Sequence, residues 1–124
     1  MASKQLREFA DYSADLLQSV GPVYVKRMFN GYGLFLEGLM IAIIVDNSLY
    51  LKADEESIGD FEALGLEPHL YLRKGRQIAL SFSQAPEDVF ESPEAMNERG
   101  NKAYGAALRS AARKSKKGKK PTQL

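Results

Sequence analysis

A chain of 124 residues, 44% hydrophobic and 27% charged, with no cysteine and one histidine, has the size and composition of a single globular domain with one core. The missing cysteines exclude disulfides and thiolate-metal sites and lean towards a reducing compartment, and the lone His69 excludes a cluster of histidine ligands. The net charge of +1 hides an asymmetry: from Arg109 onward there are seven basic residues and no acidic one, which leaves 10 basic against 16 acidic, or −6, for residues 1–108.

Leu6, Phe9, Ala10, Leu16, Leu17 and Val20 recur at three- and four-residue intervals, the period of an amphipathic helix. A first helix is expected from about Lys4 to Val20, with Ser3 as a cap, Asp11 and Asp15 towards solvent, and Gly21-Pro22 as the stop. Val23 to Phe29, with its β-branched and aromatic residues, reads as a strand or an extended approach to one. Gly33–Leu36, Leu39–Val45 and Leu49–Lys52 follow as three apolar runs joined by Glu37-Gly38 and Asp46-Asn47. Those dipeptides adopt positive φ readily, so two tight hairpins are the economical reading. The run Leu39–Val45 has no polar face and belongs in the middle of the sheet.

Asp54 is placed to cap a short helix with Ile58, Phe61 and Leu64 as its apolar stripe and Gly65 as its end. His69–Arg73 and Gln77–Ser83 form a third hairpin around Lys74-Gly75-Arg76, the second arm alternating like an edge strand with a polar face. Pro86 opens a short turn, and Ser92-Pro93-Glu94 opens the last helix, which is expected to run to about Arg113 with Met96, Ala103, Ala107 and Ala111 along one side. Gly100 and Gly105 weaken it. The order α-β(3–4)-α-β(2)-α predicts an α+β fold of two layers, an antiparallel sheet of five to six strands backed by helices. Residues 1–112 form the expected domain, and 113–124, low in apolar content and rich in lysine, the expected disordered basic tail.

Met28-Phe29-Asn30-Gly31-Tyr32-Gly33-Leu34-Phe35, then Gly38, Leu49-Tyr50-Leu51-Lys52-Ala53-Asp54, Ala79-Leu80-Ser81-Phe82 and Pro86-Glu87-Asp88 together resemble the signature of the TfoX/Sxy family N-terminal domain. The resemblance covers about residues 10–110. It implies the order αβββαββα, shared in outline with secretion-chaperone-like domains. It also implies kinship with bacterial regulators of DNA-uptake competence that act with the cyclic-AMP receptor protein at promoters. Full-length members carry a second, helical domain, and this chain is expected to be the N-terminal domain standing alone. Asn30 departs from the usual glycine but tolerates the same turn.

Each chemical candidate has a structural counterpart. The Gly31-Tyr32-Gly33 motif is followed by a strand rather than a helix, which favours a turn over a phosphate loop. His69 stands without a second histidine or a cysteine, and the acids Asp54, Glu55, Glu56 and Asp60, like Glu87, Asp88, Glu91 and Glu94, fit the electrostatics of helix starts. Ser81 and Ser83 lack an elbow sequence and a base. No catalytic residue, metal site or cofactor is therefore expected, and the chain reads as a non-enzymatic protein. Arg113, Lys114, Lys116, Lys117, Lys119 and Lys120 form the candidate nucleic-acid contact, sequence-blind and salt-sensitive.

The expected function is a regulatory or adaptor domain that binds a protein partner in transcription regulation and touches DNA through its tail. The competing reading is a chaperone-like or self-associating module, a homodimer included, that offers Gln77–Ser83 as a free sheet edge. The longest apolar run, Leu39–Val45, is far below the ~20 residues of a membrane helix, and the N-terminus is charged where a signal peptide is apolar. A cytoplasmic protein that makes no membrane contact is the expectation.

Overall fold

The computed structural model describes the backbone of residues 4–28, 31–66, 68–73 and 76–119, and the side chains of these outside 68–80 and 115–119. Helix α1 spans Lys4–Leu16 and tightens into a 3-10 turn over Leu17–Ser19. Strands β1 (Tyr24–Met28), β2 (Gly31–Leu36), β3 (Leu39–Val45) and β4 (Ser48–Lys52) follow as a meander. Then come the short helix α2 (Ile58–Glu62), strands β5 (Pro68–Arg73) and β6 (Arg76–Gln84), a second 3-10 turn at Glu87–Phe90, and the long helix α3 (Pro93–Lys119). All strands pair antiparallel in one six-stranded sheet of order β1-β2-β3-β4-β6-β5. The architecture is the expected α+β, and β3 lies inside the sheet as expected.

The turns explain the meander. Glu37 and Gly38 have φ of 53° and 80°, and Asp46 and Asn47 have 52° and 61°. Two successive positive-φ residues twist a two-residue connection in the sense that the flanking strands require. Register then follows from burial: Tyr32, Leu34 and Leu36 of β2 are buried, and the first two face Ile44 and Ala42 of β3, which in turn face Leu49 and Leu51 of β4. A one-residue slip would turn this entire row away from the core. Between Leu34–Ala42 and Phe35–Met40 the register shifts, leaving Ile41 with no residue opposite it. That bulge lets Ile41, fully buried, join the core as well.

Helix α1 packs on β1 and β2, and α3 packs on β3 and β4. Their inward side chains, Leu6, Ala10, Ala14 and Leu17 from the first and Met96, Ala103 and Ala107 from the second, merge with the buried row of the sheet into one cluster. Two glycines make that closeness possible. A Cβ on Gly31 would lie 1.8 Å from the Ile44 carbonyl oxygen, and one on Gly100 would lie 2.6 Å from Leu17 Cδ2 and 2.7 Å from Val20 Cγ2. Gly31 therefore belongs to β2 itself rather than to a turn, and Gly100 is where α3 presses against the 3-10 turn after α1. The motif read as a turn is a site of tight strand packing.

Helix α2 is framed by a closed turn before it and a cap after it. Asp54 Oδ1 accepts the amide hydrogens of Glu56 and Ser57 at 3.1 and 3.2 Å, while Ser57 Oγ accepts the amide of Asp54 at 3.0 Å. At the other end the Gly65 and Leu66 amides donate to the Glu62 and Phe61 carbonyls at 3.0 Å each, with Gly65 at φ 74°. This reciprocal closure is the Schellman arrangement. Ser92 Oγ likewise accepts the Ala95 amide at 3.2 Å and starts α3.

Two further expectations are corrected. Strand β6 is not an edge: its C-terminal part pairs with β4 through Tyr50–Gln84, Leu51–Ser83 and Lys52–Phe82, and β1 and β5 form the borders of the sheet. The alternation that suggested an edge is accounted for where Ser83, fully buried, faces Leu51 on the helix side; a hydroxyl is tolerated inside when it is partnered. Helix α3 also continues past Arg113 to Lys119, so residues 113–119 of the segment expected to be disordered are helical, while 120–124 lie outside the described residues. Alanine, arginine and lysine are strong helix formers, and positive charge near a helix C-terminus is favoured by the macrodipole. The Ser3 cap and Asn30 also lie outside the described residues.

Candidate nucleic-acid interface at the end of the last helix

After Glu98 helix α3 carries no acidic residue, and its basic residues divide into two groups with different tasks. The first belongs to the body. Lys102 Nζ is 3.0 Å from Asp60 Oδ2, and the Arg99 guanidinium lies 5.7 Å from the centre of the Phe61 ring. Arg109 grips Asp54 with two parallel hydrogen bonds, Nε to Oδ2 at 2.5 Å and Nη2 to Oδ1 at 3.0 Å, and its Nε is 3.3 Å from Glu56 Oε2. These contacts fasten α3 to the start of α2. The fork from Arg109, aided by the Ser57 hydrogen bonds, holds the Asp54 carboxyl at about 2, below its ordinary 3.8.

The second group is the candidate interface. Arg113 and Lys114 are exposed on α3, and Lys116, Lys117 and Lys119 continue along its helical backbone; Lys120 lies outside the described residues. At 1.5 Å per residue, Arg113 to Lys119 spans about 9 Å of helix axis. Five positive charges within that distance, little more than one screening length at physiological salt, make a concentrated cationic end. Lys52, from the end of β4, adds to it: burial, then Lys114 and Arg113, lower its pKa from 10.5, and Asp54 opposes them. Its Nζ stands 5.0 Å from the centre of the Phe82 ring.

The remaining candidates stay apart from this group. Among the described residues no group of three or more histidine, cysteine, aspartate and glutamate side chains could hold a metal ion. Asp54 and Asp60 are engaged by Arg109 and Lys102. Glu87, Asp88, Glu91 and Glu94 are exposed around the two helical starts. Ser81 is exposed and Ser83 buried, and the His69 side chain lies outside the described residues. Among the described residues no helix is long and apolar enough to cross a membrane.

Sequence reasoning missed the division of labour along α3. Arg109 opens the basic run in the sequence, yet it is the tie between α3 and α2, 55 residues from its partner. Nothing in a single sequence pairs residues so far apart. Lys52 is a lone charge at the end of the apolar run Leu49–Leu51, two residues before Asp54, and that pattern is the signal that the strand ends at a polar rim.

The comparisons bear on the folded body and stop short of the basic segment. The family model described as TfoX N-terminal domain matches residues 15–107, from the end of α1 to the middle of α3. Among curated proteins, the DNA transformation protein TfoX1 of Aliivibrio fischeri (strain ATCC 700601 / ES114) is 29% identical over 77 residues, which is 62% of this chain and 36% of that protein. The chain thus covers about a third of that relative's length. The matched span holds the whole sheet and the buried half of α3, and on that ground the chain belongs to the TfoX N-terminal domain family.

Proposed function

We propose that this protein is a non-enzymatic regulatory domain of DNA uptake, which binds a protein partner in transcription regulation and rests on DNA through the basic end of α3. The observation that carries this reading is the run Arg113, Lys114, Lys116, Lys117 and Lys119 on a helix fixed to the body by Arg109, with no acidic residue after Glu98. Family membership and the relative's name, a DNA transformation protein, support the biological setting. The described side chains offer a scaffold: their acids are capped, paired or exposed rather than gathered around a nucleophile or metal.

Such a helix neutralises phosphates without reading bases, since no arginine or asparagine of the basic segment stands at a helix N-terminus. With about four phosphates neutralised, affinity for duplex DNA falls about 100-fold between 50 and 200 mM salt, independently of sequence. Fluorescence anisotropy with two unrelated duplexes tests this, using the wild type and a variant with Arg113, Lys114, Lys116, Lys117, Lys119 and Lys120 all changed to glutamine. Undiminished binding by the variant, or a flat salt dependence, refutes the DNA contact.

A further inference from the structure

A cavity of about 160 Å³ opens between the C-terminal half of α3 and the ends of β3, β4 and β6. Leu39, Met40, Phe82, Ala107 and Ala111 give it apolar walls. Among the described residues the polar groups on its lining are Lys52, Ser110 and Lys114, all of them able to donate hydrogen bonds, and none is acidic. From the apolar walls and the cationic mouth we infer that this cavity is a binding site for a small apolar carboxylate, its ring or short chain in the recess and its anionic head between Lys52 and Lys114.

Size sets the body of the ligand. The recess is open to solvent on one side, and its volume is comparable to that of apolar cavities that hold benzene, so it has room for one ring or a short chain. Charge sets the head. Among the described residues no carboxylate pairs with Lys52, Arg113 or Lys114. Asp54, the acid whose field reaches Lys52, is already gripped by Arg109. Burial and the two neighbouring cations disfavour the charged form of Lys52, so a bound anion relieves repulsion as well as forming charge-assisted hydrogen bonds. The Ser110 hydroxyl supplies a further donor from the helix side. The site goes beyond the DNA contact: Met40, Lys52 and Phe82 come from the sheet, and a bare phosphate backbone has no apolar part to fill the recess.

Benzoate is the probe, with acetate as head without body and benzamide as body without charge. Titration followed by amide NMR and by thermal melting should show benzoate shifting resonances of Lys52 and of residues 107–114 and raising Tm. Acetate and benzamide should each bind about tenfold or more weakly than benzoate. Lys52→Met keeps the apolar stem and removes the charge, so it should weaken benzoate but not benzamide. Ala111→Leu, at the half-buried rim, should fill the recess and abolish binding while leaving acetate unchanged. The inference is overturned if acetate matches benzoate, if benzamide matches it, or if benzoate binds Ala111→Leu as it binds the wild type. The last variant decides the matter even if Lys52→Met fails to fold.

Discussion

Replacing Asp54 by asparagine separates two roles that one carboxylate performs. Asparagine closes such a turn on the backbone as well as aspartate does, so the hydrogen bonds to Glu56 and Ser57 survive while the ion pair with Arg109 is lost. The carboxyl sits at about 2 in the folded protein against 3.8 ordinarily. At about 1.4 kcal/mol per pH unit, that difference has a ceiling of about 2.5 kcal/mol. Arg109 is 35% exposed, and solvent around it reduces the expected loss to about 1–2 kcal/mol. The sign follows from the direction of the shift. A depressed carboxyl stabilises fully above 3.8 and ceases to do so as pH falls through about 2. Urea unfolding of wild type and Asp54→Asn should therefore differ by about 1–2 kcal/mol at pH 7, and the gap should close between about pH 4 and pH 2. A gap that stays constant across that range would show that the loss comes from packing or capping and not from the charge pair.

Gly31→Ala should cost more than about 3 kcal/mol or prevent folding, because the Cβ meets the backbone oxygen of Ile44, which cannot swing aside; a cooperative melt near the wild-type Tm would contradict the register described for β2 and β3. Gly59→Ala should have the opposite sign and add about 0.5–1 kcal/mol, since a Cβ there meets nothing within 4 Å and alanine favours the helix. Chemical denaturation reads both. Ser13→Ala should add about 1 kcal/mol, because the Ser13 hydroxyl is fully buried with no hydrogen-bond partner among the described residues; a loss in the same assay would point to a bridging water.

The meander was legible because its signals are local. Glu37-Gly38 and Asp46-Asn47 announce their positive φ by residue type, and the unbroken apolar run of β3 places it inside the sheet. The helix end at Gly65 and the cap at Ser92 are likewise readable within a few residues, whereas Asp54 closes the turn before α2 and leaves the cap position to Ser57. What failed was non-local. Whether β6 sits at a border depends on which strand joins β4, and that pairing links residues about 30 apart in a register that Lys52 and Phe82 do not advertise. The end of α3 was misjudged for another reason: apolar content forecasts packing, whereas alanine, arginine and lysine sustain a helix by intrinsic preference alone. Of the candidate site, the basic residues themselves were visible, but their separation into an anchoring part at Arg109 and an outward part from Arg113 required the fold.

The strand order also dictates a schedule of assembly. β1 to β4 are neighbours in both chain and space, so residues 24–52 can zip together through three short loops as soon as they leave the ribosome. β4 must then wait for β6 to cover its far side, and until residues 82–84 have been made its border stays open, as that of β1 does in the finished sheet. For that interval the nascent chain exposes a ready template to any other strand, which makes prompt synthesis of its second half a requirement for staying free of aggregates.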